Sequence, residues 1–199
     1  MIRILLIRHA TNDLMGRVLY GRMPGVLLNT EGLIQAERMA RSLRSRFQLD
    51  AVFSGPLERA MQTANALAEA NECAVTVDQG LTEIDFGSWG GLSFESLRED
   101  NNWRKFNQQR STKWAPGGES MMEVQARAWT SMERIVATSA GDATVAAVTH
   151  GDVIRCLLML LLGMPIDHIG RLEVAPSSVS EIQVGGDEPL IKNMNQILY

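Results

Sequence analysis

The chain has 199 residues, of which 45% are hydrophobic and 21% charged, and a formal net charge of -4 with an isoelectric point near 5.4. These are the proportions of an ordinary soluble globular protein. The acidic balance argues against nucleic acid or an anionic membrane as the main partner, since both select basic surfaces, but it leaves room for a small anionic ligand in a local basic pocket.

The first element is the apolar run IRILLI, residues 2–7, which reads as a buried strand and stops at RHATND. Its charge comes too early for a secretory signal. Residues 31–47 follow a helical period, with Leu33, Ala36, Ala40, Leu43 and Phe47 on one stripe. AVFS (51–54) is a second strand. Gly55-Pro56 then opens a helix striped by Leu57, Ala60, Ala64 and Leu67. AVTV (74–77) is a third strand. Residues 84–118 are rich in Gly, Trp, Asn and charge and read as an excursion from the sheet, with one helix over about 93–109.

A long helix is expected over about 119–139, a fourth strand at 143–150 (ATVAAVTH) and a helix at 152–162. The tail LEVAPSSVSEIQV suggests two strands in a hairpin, with another near LIKN. The longest apolar run, CLLMLLLGM at 156–164, is far below the roughly 20 residues of a membrane helix. Cys73 and Cys156 stand apart with no CxxC spacing, which fits core positions in a reducing compartment, so a cytoplasmic location is expected. The alternation predicts an α/β fold, a three-layer sandwich whose mostly parallel central sheet is flanked by helices. A small helical lid at about 84–118 completes one domain over 1–199.

Ligands of open α/β sheets bind beyond the carboxyl ends of the strands. His9 follows the first strand there and His150 the fourth, while His168 lies in a polar stretch after GMPI. Arg8 precedes His9. Arg59 sits in the first turn of its helix, where the dipole opposes a cation unless an anion lies between them. Gly151, after His150, lets backbone N–H groups approach a ligand closely. Two arginines, two imidazoles and two helix N-termini facing one crevice describe a phosphate site, because the guanidinium fork meets phosphate oxygens two at a time. A zinc site is the competing reading of the two histidines; the flanking arginines would repel the metal, and no metal or other cofactor is expected.

Five segments, LIRHATN (6–12), SGPLERAMQTA (54–64), LTEIDFGSWGG (81–91), PGGES (116–120) and VTHGDVIR (148–155), stand in the order found in the histidine phosphatase superfamily, also called phosphoglycerate-mutase-like. The chain resembles that superfamily over nearly its whole length. The resemblance implies a phosphomonoesterase in which His9 is the nucleophile. Arg8, Arg59 and His150 would bind the phosphoryl oxygens, and Glu83 would be the proton donor and acceptor, with Asp85 in reserve. It implies a small phosphorylated metabolite as partner; a homodimer is compatible with it.

The usual RHGET becomes RHATN here, so Ala10 stands for glycine, and Met15 or Gly16 falls where an asparagine is expected. Asn12 or Thr11 is the replacement donor. Gly21 matches a substrate-side glycine, with Tyr20, Arg22 and Gly151 as further contacts. Cofactor-dependent mutases of the family carry a longer insertion with extra arginines between the acid and the second histidine. Here 67 positions separate Glu83 from His150, and only Arg98, Arg104 and Arg110 lie farther along the excursion. Hydrolysis is therefore favoured. A phosphoglycerate-mutase-type phosphotransferase and a phospho-ligand binding protein without turnover are the alternatives.

Overall fold

The computed structural model describes residues 1–186 and 188–198. Its centre is a six-stranded mixed sheet built from β1 (Ile2–Arg8), β2 (Ala51–Ser54), β3 (Val75–Val77), β4 (Thr144–Thr149), β5 (Val179–Val184) and β6 (Leu190–Gln196). The strand order is β3-β2-β4-β1-β5-β6. The β3-β2, β2-β4 and β4-β1 pairs are parallel, whereas β1-β5 and β5-β6 are antiparallel. The expectation of a mostly parallel sheet thus holds for the half that carries the crossover helices.

Why β1 and β4 read as unbroken apolar runs is now plain: both faces of each are buried. Ile4 and Leu6 of β1, with Val145 and Ala147 of β4, face one core, shared with α5 (Met121–Thr138) and α6 (Gly151–Leu161). Leu5, Ile7, Ala146 and Val148 face the other, shared with α1 (Thr30–Arg46) and α2 (Glu58–Asn71). Alternate side chains of a strand point to opposite faces, and each such leucine or isoleucine contributes about 1.5–3 kcal/mol on burial. The three-layer sandwich follows. Among the described residues no helix is long and apolar enough to cross a membrane.

Four expectations are corrected, the last of them in the excursion. The second helix starts at Glu58, with Leu57 as N-cap and Pro56 outside it. Leu33 of α1 is 45% exposed and lies off the buried stripe, which Met39 joins instead. The late hairpin joins β5 to β6, and residues 172–174 form no strand.

The excursion carries two short helices rather than one, α3 (Phe94–Glu99) and α4 (Asn101–Gln108). Asp100 ends the first and caps the second, its carboxylate accepting from the Asn102 and Trp103 N–H groups, and a capping side chain interrupts a helix by satisfying the donors that would continue it. Trp89, Trp103 and Phe106 pack edge-on and stacked into the core of this lobe, while Trp114 is exposed. The lobe is fastened to the site by the PGGES segment: a Cβ on Gly118 would come within 2.2 Å of the Asp85 carbonyl, a fit that glycine alone allows.

Candidate active site

β1 and β4 are parallel neighbours in the register Arg8 to Thr149. The residues that follow, His9 and His150, are therefore side by side, their ring centroids 5.2 Å apart. β2 lies on the other side of β4 and delivers α2, whose first turn carries Arg59. Neither α2 nor α6 has a side-chain cap at its N-terminus, so the first N–H groups of both helices remain for a ligand.

The Arg59 guanidinium is fully buried. Its Nε donates to His9 Nε2 at 3.2 Å, and its Nη2 donates to the Gly21 carbonyl at 2.6 Å and lies 3.3 Å from His150 Nδ1. Tyr20 covers it, ring to guanidinium at 4.7 Å. His9 Nδ1 lies 2.7 Å from the Ala10 carbonyl, which only accepts, so Nδ1 carries the proton and Nε2 the lone pair. Guanidinium nitrogens only donate, so His150 Nδ1 accepts and its Nε2 carries the proton. Burial first, then the Arg59 charge, pushes both imidazoles well below their ordinary pKa, and both are neutral at pH 7.

Three donors at this place are buried and hydrogen bond to nothing among the described residues: Arg8 Nε, Arg59 Nη1 and His150 Nε2. Asn12 Nδ2 is a fourth, while its Oδ1 accepts from the Leu14 N–H. Unsatisfied buried donors are costly, and proteins keep them where a bound group completes them.

Glu83 is 9% exposed and lines a cleft of about 130 Å³ with Arg8, Tyr20, Gly21 and Gly151. Burial first, then the nearby Asp152 charge, raises its pKa to about 7, against the Ile84 N–H bond and the Arg59 and Arg8 charges. It can thus hold or release a proton near neutrality. Asp85, the reserve acid, is displaced from this role: its carboxylate accepts from the Gly87 N–H and faces Arg22 at 3.8 Å, half exposed. Arg22 is corrected as well. It turns away from the cleft and donates to the Glu83 carbonyl at 2.8 Å and to Glu119.

Sequence reasoning missed what holds Glu83. Arg127 of α5 donates to the carbonyls of Gly80, Thr82 and Glu83, and Glu119 binds both Arg127 and Arg22 while accepting from the Asp85 N–H. The only signal was PGGES itself, whose glutamate precedes the Ser120 capping box of α5. Met15, one of the two residues at the position expected to hold an asparagine, lines the cleft with its sulfur 4.0 Å from Arg8 Nη2. His168 stands apart in the 3-10 segment Ile166–Arg171. Among the described residues no group of three His, Cys, Asp or Glu side chains is arranged to hold a metal ion.

The sequence pattern described as histidine phosphatase superfamily (branch 1) matches residues 4–197. Phosphoserine phosphatase 1 of Hydrogenobacter thermophilus is 30% identical over 200 residues, covering 98% of this chain and 92% of that protein. A bifunctional protein of Mycobacterium tuberculosis is 34% identical over 200 residues; the match covers 99% of this chain and 54% of that protein, so the chain spans about half the length of this mycobacterial relative. The solved structure of mycobacterial glucosyl-3-phosphoglycerate phosphatase complexed with VO3 is similar at a TM-score of 0.85 and 28% identity, covering 97% of this chain and 98% of that chain.

Proposed function

This chain belongs to the histidine phosphatase superfamily, branch 1, and from that premise we propose that residues 1–199 form one catalytic domain, a cytoplasmic hydrolase of small phosphomonoesters that works through a phosphohistidine on His9. The observation that carries the reading is the set of buried, unsatisfied donors, Arg8 Nε, Arg59 Nη1 and His150 Nε2, around the His9 lone pair.

In the first step His9 Nε2 attacks phosphorus and a P–N bond forms as the bond to the ester oxygen breaks. Neutral Glu83 gives its proton to the leaving alkoxide. The Arg59 N–H that rests on Nε2 passes to a phosphoryl oxygen, and Arg8 and His150 meet the others, stabilising charge spread over the equatorial oxygens. In the second step the Glu83 carboxylate takes a proton from water, whose oxygen attacks phosphorus and displaces His9. The Ala10 carbonyl keeps Nδ1 protonated and the ring oriented throughout. Its pKa near 7 suits Glu83 to both steps. Among the arginines, only Arg8 and Arg155 line the cleft; those of the excursion do not, which favours hydrolysis over transfer to a second bound phosphate ester.

Rapid-quench incubation with p-nitrophenyl phosphate tests the reading. Wild type should accumulate acid-labile, base-stable protein-bound phosphate and turn over equally with and without EDTA, and His9→Ala should do neither. Full activity of His9→Ala overturns the mechanism, EDTA-sensitive turnover restores the zinc reading, and no turnover of any phosphate ester makes the protein a binder.

A further inference from the structure

We propose that Asp152 and Arg155, on the first turns of α6, are the leaving-group receptor of the cleft, and that they select monoesters whose alcohol carries both an ammonium and a carboxylate, the amino-acid phosphates. The inference rests on the hydrolase reading above and deepens it. Both side chains line the cleft that holds Glu83 and Arg8. Arg155 Nη1 donates to Asp152 Oδ1 at 3.0 Å, and its Nε is anchored on the Leu172 carbonyl at 2.8 Å. That leaves Asp152 Oδ2 and Arg155 Nη2 without a hydrogen bond among the described residues.

A solvated ion pair three residues apart on a helix would call for no partner. This one is 18% and 26% exposed and lines the cleft, so a leaving group that enters there displaces water from its two free atoms and binds well only if it replaces those hydrogen bonds. One acceptor and one donor of opposite sign, held side by side, are the complement of a zwitterion. Their position fits a short leaving group. The point where a Gly151 Cβ would sit is 3.4 Å from Arg8 Nε and 3.5 Å from Arg155 Nη1, so the receptor begins directly beside the phosphate clamp. Asp152 also lines the same cleft as Glu83, the leaving-group acid, which puts it on the leaving-group side. The cleft is also lined by the apolar Val18, Leu19, Phe86 and Phe94, with Tyr20 as the one neutral side chain carrying a hydroxyl, and so offers little to the several hydroxyls of a sugar. A leaving group with a carboxylate alone would meet Arg155 but face the Asp152 charge unpaired.

The experiment compares kcat/KM for four primary alkyl monoesters: O-phospho-L-serine, O-phosphoethanolamine, 3-phosphoglycerate and glycerol 3-phosphate. All four release primary alkoxides, so any change in Glu83 acidity cancels in their ratios. Wild type should prefer phosphoserine to glycerol 3-phosphate by about 10- to 100-fold, the worth of a charge-assisted contact. Asp152→Asn should cut that ratio at least ~10-fold, mainly through KM, and Arg155→Met should erase the preference for phosphoserine over phosphoethanolamine. A wild-type ratio near one, with all four turned over, overturns the inference and leaves the hydrolase reading intact; it needs no variant to fold. Equal losses on all four substrates in Asp152→Asn overturn it too, showing a residue that acts through Glu83 or on the fold. Failure of wild type on these and on p-nitrophenyl phosphate overturns the hydrolase reading itself.

Discussion

Replacing Glu83 with glutamine should stabilise the protein while disabling it. The folded protein holds the Glu83 proton up to about pH 7, against an ordinary value of 4.5. Because the native state binds this proton more tightly than the unfolded chain, folding is penalised once pH rises above 4.5. The penalty grows until about pH 7 and is constant beyond it, at about 3 kcal/mol. Glutamine carries no charge, and its side-chain oxygen can keep the Ile84 N–H bond that Glu83 Oε1 accepts at 3.0 Å. In urea unfolding the stability of Glu83→Gln relative to wild type should therefore increase by roughly 2 to 3 kcal/mol between pH 5 and pH 8. Turnover of alkyl phosphates should fall by ~10²–10⁴-fold, and that of p-nitrophenyl phosphate by much less, since its leaving group needs no proton. A stability difference that is flat across this pH range would refute the electrostatic reasoning. Equal kinetic losses on both substrate classes would refute the assignment of Glu83 as the leaving-group acid.

Arg59→Lys should lower kcat/KM by ~10²–10³-fold, because one ammonium cannot serve His9 Nε2, the Gly21 carbonyl and His150 together; steady-state kinetics retaining half the activity would contradict it. Gly151→Ala should raise KM by about tenfold with an unchanged circular dichroism spectrum, since the new methyl fills the gap between Arg8 and Arg155 without a backbone clash. Glu119→Gln should loosen the Arg22 and Arg127 grip on the Glu83 carbonyl. Its kcat should drop more on alkyl than on aryl esters, and its unfolding free energy by about 1–3 kcal/mol.

Reading the sequence located His9 and His150 because two apolar runs each end on a histidine, at the carboxyl ends of strands where open α/β sheets bind their ligands. Arg59 was visible as a cation where the helix dipole opposes one. Glu83 was not legible from its own surroundings; it needed the resemblance, since its burial is made by the lobe and by Arg127, 44 positions away. A longer separation, 97 positions, hid the turning of Arg22 towards Glu119, and the half-exposed position of Asp85 was equally hidden. Single residues also overrode periodic patterns. Asp100 divided the excursion helix by capping, and the hairpin moved downstream because residues 172–174 are engaged elsewhere, Leu172 and Val174 giving their carbonyls to Arg155 and Arg8.

The strand order has a consequence for how the protein comes into being. β4 lies between β1 and β2, yet it is made long after both. A chain emerging from the ribosome holds His9 and Arg59 early, but the strand that must lie between β1 and β2, and bring His150 beside both residues, arrives only with residues 144–150. The clamp therefore closes in a non-local step, the slow kind in folding, and no shorter nascent chain holds a working clamp. Refolding followed by activity should lag behind refolding followed by helix content, with docking of β4 as the step that separates the two.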